Sequence, residues 1–313
     1  MSTTPVPVGS EVSGAELVAT QRSTPVDRPG GADAGQPPWQ RIGKRVLGYG
    51  LLILFAVFFI FPFMLALLTS VKPRAQAASD PLALLPDPFT TRVFGELFGG
   101  GFSRALFVSV VVTLGVTLGR VFLDSLAGYA LARLDFPFRK TIFAIIVATL
   151  GIPGIVLAIP RFLVLGTLGL LNSWGGLIIP LAVDAFGIFL MRQFFSTIPK
   201  EMEEAARVDG ASIWQTYSRV VLPLATPGLI ALTILSFQGS WNEFLHPLIA
   251  APSATNLRPL PVFLALLRGA EGESFDAPLL LAASVLTTIP VAIVFFSFQR
   301  YFIQGVAASG VKG

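Results

Sequence analysis

Few residues in this sequence are able to do chemistry. The 313-residue chain has one histidine, His246, no cysteine, and 18 carboxylates against 22 lysines and arginines. Without cysteine there is no disulfide, thiolate metal site or thiol nucleophile, and one histidine cannot build a histidine metal cluster, so no metal site is expected. What remains is a set of polar residues inside apolar stretches, where ionisable groups are costly and are functional candidates by default. Arg120 and Asp124 stand four apart, which on a helix puts them on one face, placed to neutralise each other. Asp184 lies within another apolar run, with Arg161 as its candidate partner. Trp241-Asn242-Glu243-Phe244, with His246 one turn on, offers sugar-binding chemistry: an aromatic face for C–H groups, and an amide and a carboxylate for hydroxyls. Trp241, Asn242, Glu243 and Asp184 are the candidates for lining a substrate pathway. The competing reading of the Trp-Asn-Glu-Phe run is an interfacial aromatic belt with a snorkelled carboxylate, and His246 reads as a hydrogen-bonded interface residue. An intramembrane aspartyl protease is disfavoured, because Asp184 is followed by Ala-Phe-Gly and lacks a Gly-x-Gly-Asp context.

The elements that must position these residues follow from composition. Charged side chains make up 13% of the chain, about half the ~25% of soluble domains, while 53% is apolar and 27 residues are Phe. Such a chain cannot cover a globular surface with polar groups, and the fold class expected is an all-α polytopic membrane protein with six transmembrane helices. The spans expected are 46–71, 105–132 (interrupted by Arg120 and Asp124), 141–160, 174–191, 220–242 continuing to Ala250, and 277–299. Pro153, Pro160, Pro180 and Pro227 interrupt spans and free backbone carbonyls. Near the membrane on one side lie Arg41, Lys44, Arg45, Arg133, Arg139, Lys140, Arg192, Lys200, Arg207, Arg219, Arg300 and Lys312; the other side has Lys72, Arg74, Arg92, Arg104, Arg258 and Arg268. The richer side is cytoplasmic by the positive-inside rule, which puts both termini inside a bacterial cytoplasmic membrane. The net charge of +4 is accounted for by these loops and does not point to nucleic acid. Residues 1–45 read as a polar, disordered cytoplasmic tail. A cleaved signal peptide is disfavoured by the long polar lead-in, although Ala75-Gln76-Ala77 resembles a cleavage site. Residues 72–104 read as an irregular external loop, 105–299 as the core transmembrane domain, and 300–313 as a cytoplasmic C-terminal tail.

One cytoplasmic segment, between the fourth and fifth spans, stands apart. Thr197 is placed to cap a helix whose first turns hold Pro199, Glu201, Glu203 and Glu204, which suits the positive end of the helix dipole. Gly210 can end that helix with a positive φ, and a second helix, Ala211 to Val221, would feed into span five. Ala205 and Ala206 are small enough for a partner to approach closely. The segment reads as a helix-turn-helix projecting into the cytosol and suited to docking another protein; the plainer reading is a solvated amphipathic loop.

Glu204-Ala-Ala-Arg-Val-Asp-Gly-Ala211, followed by Leu222-Pro-Leu224 and Pro227, resembles the Glu-Ala-Ala signature of ABC importer permeases. Tyr217 stands where an aromatic, usually Phe, is expected. Ala127-Gly-Tyr-Ala-Leu-Ala-Arg133 is similar to a stretch leaving the second span in that family, whereas Phe107-Val108-Ser109 stands where an Asn is common. The end, Gln299 to Gly313, resembles that of the second permease of maltose-type carbohydrate importers. The resemblance implies that Glu204, Ala205, Ala206, Asp209, Gly210 and Ala211, with Glu203 beside them, form a coupling helix docked in a groove of a separate ATPase subunit. It also implies that Gly310, Val311, Lys312 and Gly313 contact the ATPase; Gly305, Gly310 and Gly313 would permit a thin extended strand. The sequence has no Gly-x-x-x-x-Gly-Lys-Ser/Thr loop. No cofactor is therefore expected in this chain, and ATP and Mg are expected on a dimeric ATP-binding partner. The other partners implied are a second homologous permease subunit, an extracytoplasmic sugar-binding protein and membrane lipid. The function implied is half of the translocation path of an ATP-driven carbohydrate importer. The alternative is a proton-coupled secondary transporter using Asp124, Asp184 or Glu243, which leaves the cytoplasmic signature unexplained and commonly shows inverted repeats not found here.

Overall fold

Apolar runs make long helices, and only some prolines interrupt them: Pro62 and Pro290 lie inside the helices Pro38–Thr69 and Ala277–Gly310, and Pro160, expected to interrupt a span, lies inside Ala158–Thr167. The computed structural model describes residues 38–268 and 276–310, and among them every regular element is helical. In chain order these are α1 (Pro38–Thr69), α2 (Arg74–Ser79), α3 (Arg92–Gly99), α4 (Phe102–Arg133), α5 (Arg139–Thr149), α6 (Ala158–Thr167), α7 (Trp174–Ile178) and α8 (Ala185–Thr197). They continue as α9 (Glu201–Val208), α10 (Ile213–Gln215), α11 (Leu222–Leu224), α12 (Thr226–Trp241), α13 (Leu245–Ala250), α14 (Leu260–Leu267) and α15 (Ala277–Gly310).

Three helical stretches are long and apolar enough to cross a membrane unbroken: Val46–Thr69, Phe102–Arg133 and Ala277–Phe298. Three more crossings exist only if bent helix pairs count as one span each. Arg139–Thr149 and Gly154–Thr167 meet at 99°, Trp174–Leu181 and Ala185–Thr197 at 40°, and Ile213–Leu224 and Thr226–Trp241 at 80°. Proline explains where: Pro153 occupies the first break, Pro180 the turn before the second, and Pro223 and Pro227 flank the third. Each lacks an N–H and so removes a bond from the helical ladder, although Ile179 and Leu222, which precede Pro180 and Pro223, keep helical dihedrals. The expected third span, 141–160, is therefore a sharply broken pair, and span five turns at Ala225 before α12 begins.

Residues 1–60 and 61–313 are separate units. In the first, the helix begins at Pro38, so the last eight residues of the expected tail, 38–45, are helical, and the rest of that tail lies outside the described residues. From Val46 to Ile60 this helix is exposed along its whole length, as a lipid-facing helix would be. In the second unit, the expected irregular loop contains α2 and α3, tied by ion pairs from Arg74 to Glu96 and from Arg74 to Asp276 (2.7 Å). Gly101, at φ +100°, then turns the chain into α4.

α4 is the central pillar. It packs chiefly on α8 and α12 and contributes to all three buried apolar clusters: Val108, Val112 and Val116 with Leu165 and Leu177; Phe102 and Ala105 with Trp241 and Leu260; Tyr129 with Met191, Phe195 and Tyr217. Inside a membrane the hydrophobic effect gives helices no reason to associate, so close backbone approach must supply the packing. α4 achieves it with glycine. A β-carbon on Gly119 would lie 2.7 Å from the Ala182 Cβ, and one on Gly128 2.7 Å from the Met191 Cβ.

Candidate functional site

The elbow between α8 and α12 is closed by local chemistry. α9 starts after Lys200, not at Thr197, which ends α8 and donates its hydroxyl to the Phe194 carbonyl (2.8 Å). Glu201, Glu203 and Glu204 fill the first turn, as the helix dipole favours. Gly210 adopts φ +83°, its N–H donating to the Arg207 carbonyl (3.0 Å) while that of Ala211 reaches the Ala206 carbonyl (2.9 Å). This is the bond pair that ends a helix on a left-handed residue. Ser212 then opens α10 through a capping box: its hydroxyl accepts from the Gln215 N–H (3.3 Å), and the Gln215 side chain accepts from the Ser212 N–H (2.8 Å). The second helix therefore begins at Ile213 and not Ala211, and from Thr216 to Val221 it is a π-helix.

The elbow has two faces. Glu204, Ala205, Val208, Asp209 and Gly210 are exposed, with Ala206 and Ala211 half-buried. Met202, Val208, Ile213 and Trp214 add large exposed apolar side chains, Val208 at 88%. Glu203 is different and corrects its assignment to the docking set. It is 4% exposed and points back into the protein, its Oε1 lying 2.9 Å from Arg133 Nε and its Oε2 accepting from the Tyr129 hydroxyl at 3.3 Å. Helical spacing explains the difference: residues 201, 204, 205 and 208 share one face, and residue 203 lies on the opposite one.

Arg120 and Asp124 share a face of α4 as expected but form no ion pair; the ion pairs among the described residues lie elsewhere. Both instead serve the break between α7 and α8. Arg120 Nε donates to the Leu181 carbonyl (2.7 Å), and Asp124 Oδ1 accepts from the Asp184 N–H (3.0 Å). An interrupted helix leaves carbonyls and N–H groups without intrahelical partners, and here a cation and an anion one turn apart take one of each. Asp184 is the N-cap of α8, its Oδ2 accepting from the Gly187 N–H (3.3 Å). Arg161 does not reach it. Arg161 Nη1 lies 3.5 Å from His246 Nδ1, and His246 Nε2 is 2.9 Å from the Gly176 carbonyl. A guanidinium only donates, so Nδ1 accepts and Nε2 carries the proton. His246 is thus a buried hydrogen-bonded joint between α6, α7 and α13.

The substrate-path candidates fare unevenly. Trp241 is 1% exposed, stacks on Phe237 (5.6 Å) and donates Nε1–H to the Thr287 carbonyl (3.2 Å): it is a core residue between α12 and α15 and offers no face to a ligand. Glu243 Oε1 accepts the His246 N–H (2.9 Å), opening α13. Asn242 alone of the run is an exposed polar side chain, bonded through Nδ2 to the Gln238 carbonyl (2.9 Å). Among the described residues no three His, Asp or Glu side chains gather as metal ligands.

The family model described as binding-protein-dependent transport system inner membrane component matches residues 124–308, which include the helix break, the elbow and α12 to α15. The chain belongs to this family. It is a membrane permease, the transport component and not an ATPase. It is 36% identical over 262 residues to the arabinooligosaccharides transport system permease protein AraQ of Halalkalibacterium halodurans, covering 81% of this chain and 91% of that one. It is 35% identical over 257 residues to the sulfoquinovosyl glycerol transport system permease protein SmoH of Agrobacterium fabrum, covering 81% and 89%. In structure it is similar to a chain of a bacterial ABC transporter involved in the import of the acidic polysaccharide alginate, with TM-score 0.72, 27% identity, and 85% of this permease and 99% of that chain covered.

The C-terminal assignment is only partly visible. The permease's last helix, α15, runs through Gly305 to Gly310 without giving way to an extended strand, since isolated glycines among helix formers cost only about 1 kcal/mol each. Val311, Lys312 and Gly313 lie outside the described residues.

Proposed function

We propose that the permease forms half of the translocation path of an ATP-driven carbohydrate importer and that the elbow is where the motor engages it. Each bent pair counts as one span, giving six, with both termini and the elbow in the cytoplasm. The two-to-one excess of Lys and Arg on the elbow's side supports that orientation. ATP and Mg²⁺ are held by a separate ATPase dimer, a second permease completes the path, and an external binding protein delivers the sugar. The carbohydrate class rests on the relatives named above, whose names specify an arabino-oligosaccharide, a sulfoquinovosyl glycerol and an acidic polysaccharide. Asn242, exposed at the outer end of α12, is the remaining candidate of its run for a substrate contact, while Asp184 and Glu243 act as caps. The proton-coupled alternative gives way to the family, whose members are components of binding-protein-dependent transport systems.

The observation that carries the reading is the elbow's outer face. Small residues at Ala205 and Gly210 admit a close partner, Glu204 and Asp209 add charge specificity, and Val208 is an apolar anchor left in water. The test is co-expression with the neighbouring ATPase. Glu204→Lys should abolish co-purification of the ATPase and lower uptake by about thirtyfold, the weight of a 2 kcal/mol interface contact. Gly210→Val, forced into a left-handed backbone, should do the same by displacing the face. An ATPase that still co-purifies with Glu204→Lys, with uptake intact, would refute the docking role.

A further inference from the structure

The inward face of the elbow does something the outward face does not. Glu203 and Arg133 side chains are 6% and 5% exposed, and their charges meet at 2.9 Å. Arg133 Nε and Glu203 Oε1 meet as charges without hydrogen-bond geometry, and a buried ion pair needs further hydrogen bonds, which the other ends of both side chains make across helices. Tyr129, one turn before Arg133 on α4, donates to the second Glu203 oxygen. Arg133 Nη2 donates to the carbonyls of Phe195, which also accepts the Ile198 N–H (3.3 Å), and of Ile198, at the end of α8 where intrahelical N–H donors run out. Tyr129 also packs against Phe195 (5.8 Å) and Tyr217 (5.0 Å), and the Tyr217 hydroxyl is 2.8 Å from Ser125 Oγ on α4. The buried charge pair ties α9, the last turn of α4 and the end of α8 together, and Tyr129 and Ser125 add the π-helical turn through Tyr217. α9 cannot shift relative to α4 without uncovering a carboxylate and a guanidinium together.

Resting on the docking reading above, we propose that Arg133 and Glu203 are positioning residues that make the elbow a rigid extension of α4 and α8. A push on its outer face is then delivered to the pillar that holds the helix break at Leu181–Asp184 and is not absorbed in the loop. The pair acts on coupling and not on docking, because neither side chain lies on the exposed face.

The experiment uses the full transporter, co-expressed and reconstituted with its ATPase and binding protein. Glu203→Gln and Arg133→Gln should retain ATPase co-purification yet lower the ratio of binding-protein-stimulated to unstimulated ATP hydrolysis by about tenfold, within the usual range of coupling effects. Arg133→Met with Glu203→Met should lose little more than either Met single, since once one partner is gone the other has nothing to lock. A wild-type ratio in the single variants, or Met-variant losses that multiply in the double, overturns the proposal. So does loss of the ATPase in Glu203→Gln to the extent seen in Glu204→Lys, which would make Glu203 a docking contact. If Glu204→Lys keeps its ATPase, the docking reading fails, whatever the Arg133 and Glu203 variants do. Should the carboxylate and guanidinium variants not insert, Tyr129→Phe decides: it removes one hydroxyl, and about a fivefold fall in the ratio supports the lock, on the low end of the coupling scale, whereas no change overturns it.

Discussion

Two arginine–carboxylate pairs hang on α4, and they are built in opposite ways. Arg133 and Glu203 are far apart in sequence and bind each other directly, sealed from solvent. Arg120 and Asp124 are four residues apart and do not bind each other; they grip the two sides of one helix break, at the Leu181 carbonyl and the Asp184 N–H. The first pair joins the short helix α9 to the pillar, and the second holds a bend open against it. Sequence spacing sets which charges are near, but unsatisfied backbone groups decide what they bond, because a backbone donor or acceptor without water costs several kcal/mol in a membrane.

The comparison breaks most violently at Gly187. A β-carbon there would stand 2.1 Å from Asp124 Oδ2 and 3.0 Å from Leu232 Cδ1, and the carboxylate could yield only by giving up the Asp184 N–H. Gly187→Val should destabilise by about 3 kcal/mol or more, the upper range for overpacking, read as lost yield and a lower melting temperature in detergent. Adding Asp124→Gly should recover part of that loss. If the double variant is no better than Gly187→Val alone, the carboxylate is not what the glycine accommodates.

A finer cut separates charge from hydrogen bonding. If Asp124 serves the break as an acceptor, Asp124→Asn keeps a side-chain carbonyl for the Asp184 N–H and should lose little stability. Asp124→Ala leaves that N–H bare and should cost about 1–3 kcal/mol. Equal losses in the two variants would point to the negative charge, and so to Arg120, as the partner that matters. No such separation is expected for the other pair, where Glu203→Gln already breaks the lock.

The same contrast explains what is legible in the sequence. The elbow is readable where its chemistry is local, in glutamates at a helix start and a glycine at its end, whereas the expected start of its second helix at Ala211 overlooks the Ser212–Gln215 box that opens it at Ile213. The existence of six apolar runs is readable for the same reason, and prolines mark their breaks. The bend angles are not, since they depend on what the interrupted backbone finds to bond. Trp241 is misread because an aromatic on an apolar helix looks alike whether it faces a lumen or a core; the deciding partner, the Thr287 carbonyl, is on another helix. Glu203 is misplaced for a related reason. It sits within a run of exposed glutamates, and only its helical phase, opposite Glu204 and Ala205, hints that it turns inward.

A third charged cluster sets the lower end of the scale and shows why burial, not charge, gives the other two their weight. Arg74 bonds both Glu96 and Asp276, linking α2, α3 and α15, but the Arg74 side chain is 49% exposed and that of Glu96 36%. The hydrogen bonds from Arg74 hold the Glu96 carboxyl below the ordinary glutamate range. A carboxylate with a lowered folded-state pKa stabilises at pH values above its unfolded pKa, and the benefit disappears as pH falls through the folded value. Glu96→Gln should therefore melt slightly below the wild-type protein at neutral pH, and the two curves should converge below about pH 4. Added salt should narrow the neutral-pH gap as well, because water screens exposed pairs. A gap that widens on acidification, or one as large as that of Glu203→Gln, would mean that exposure does not discount this cluster and that the contrast between surface and buried pairs has been drawn in the wrong place.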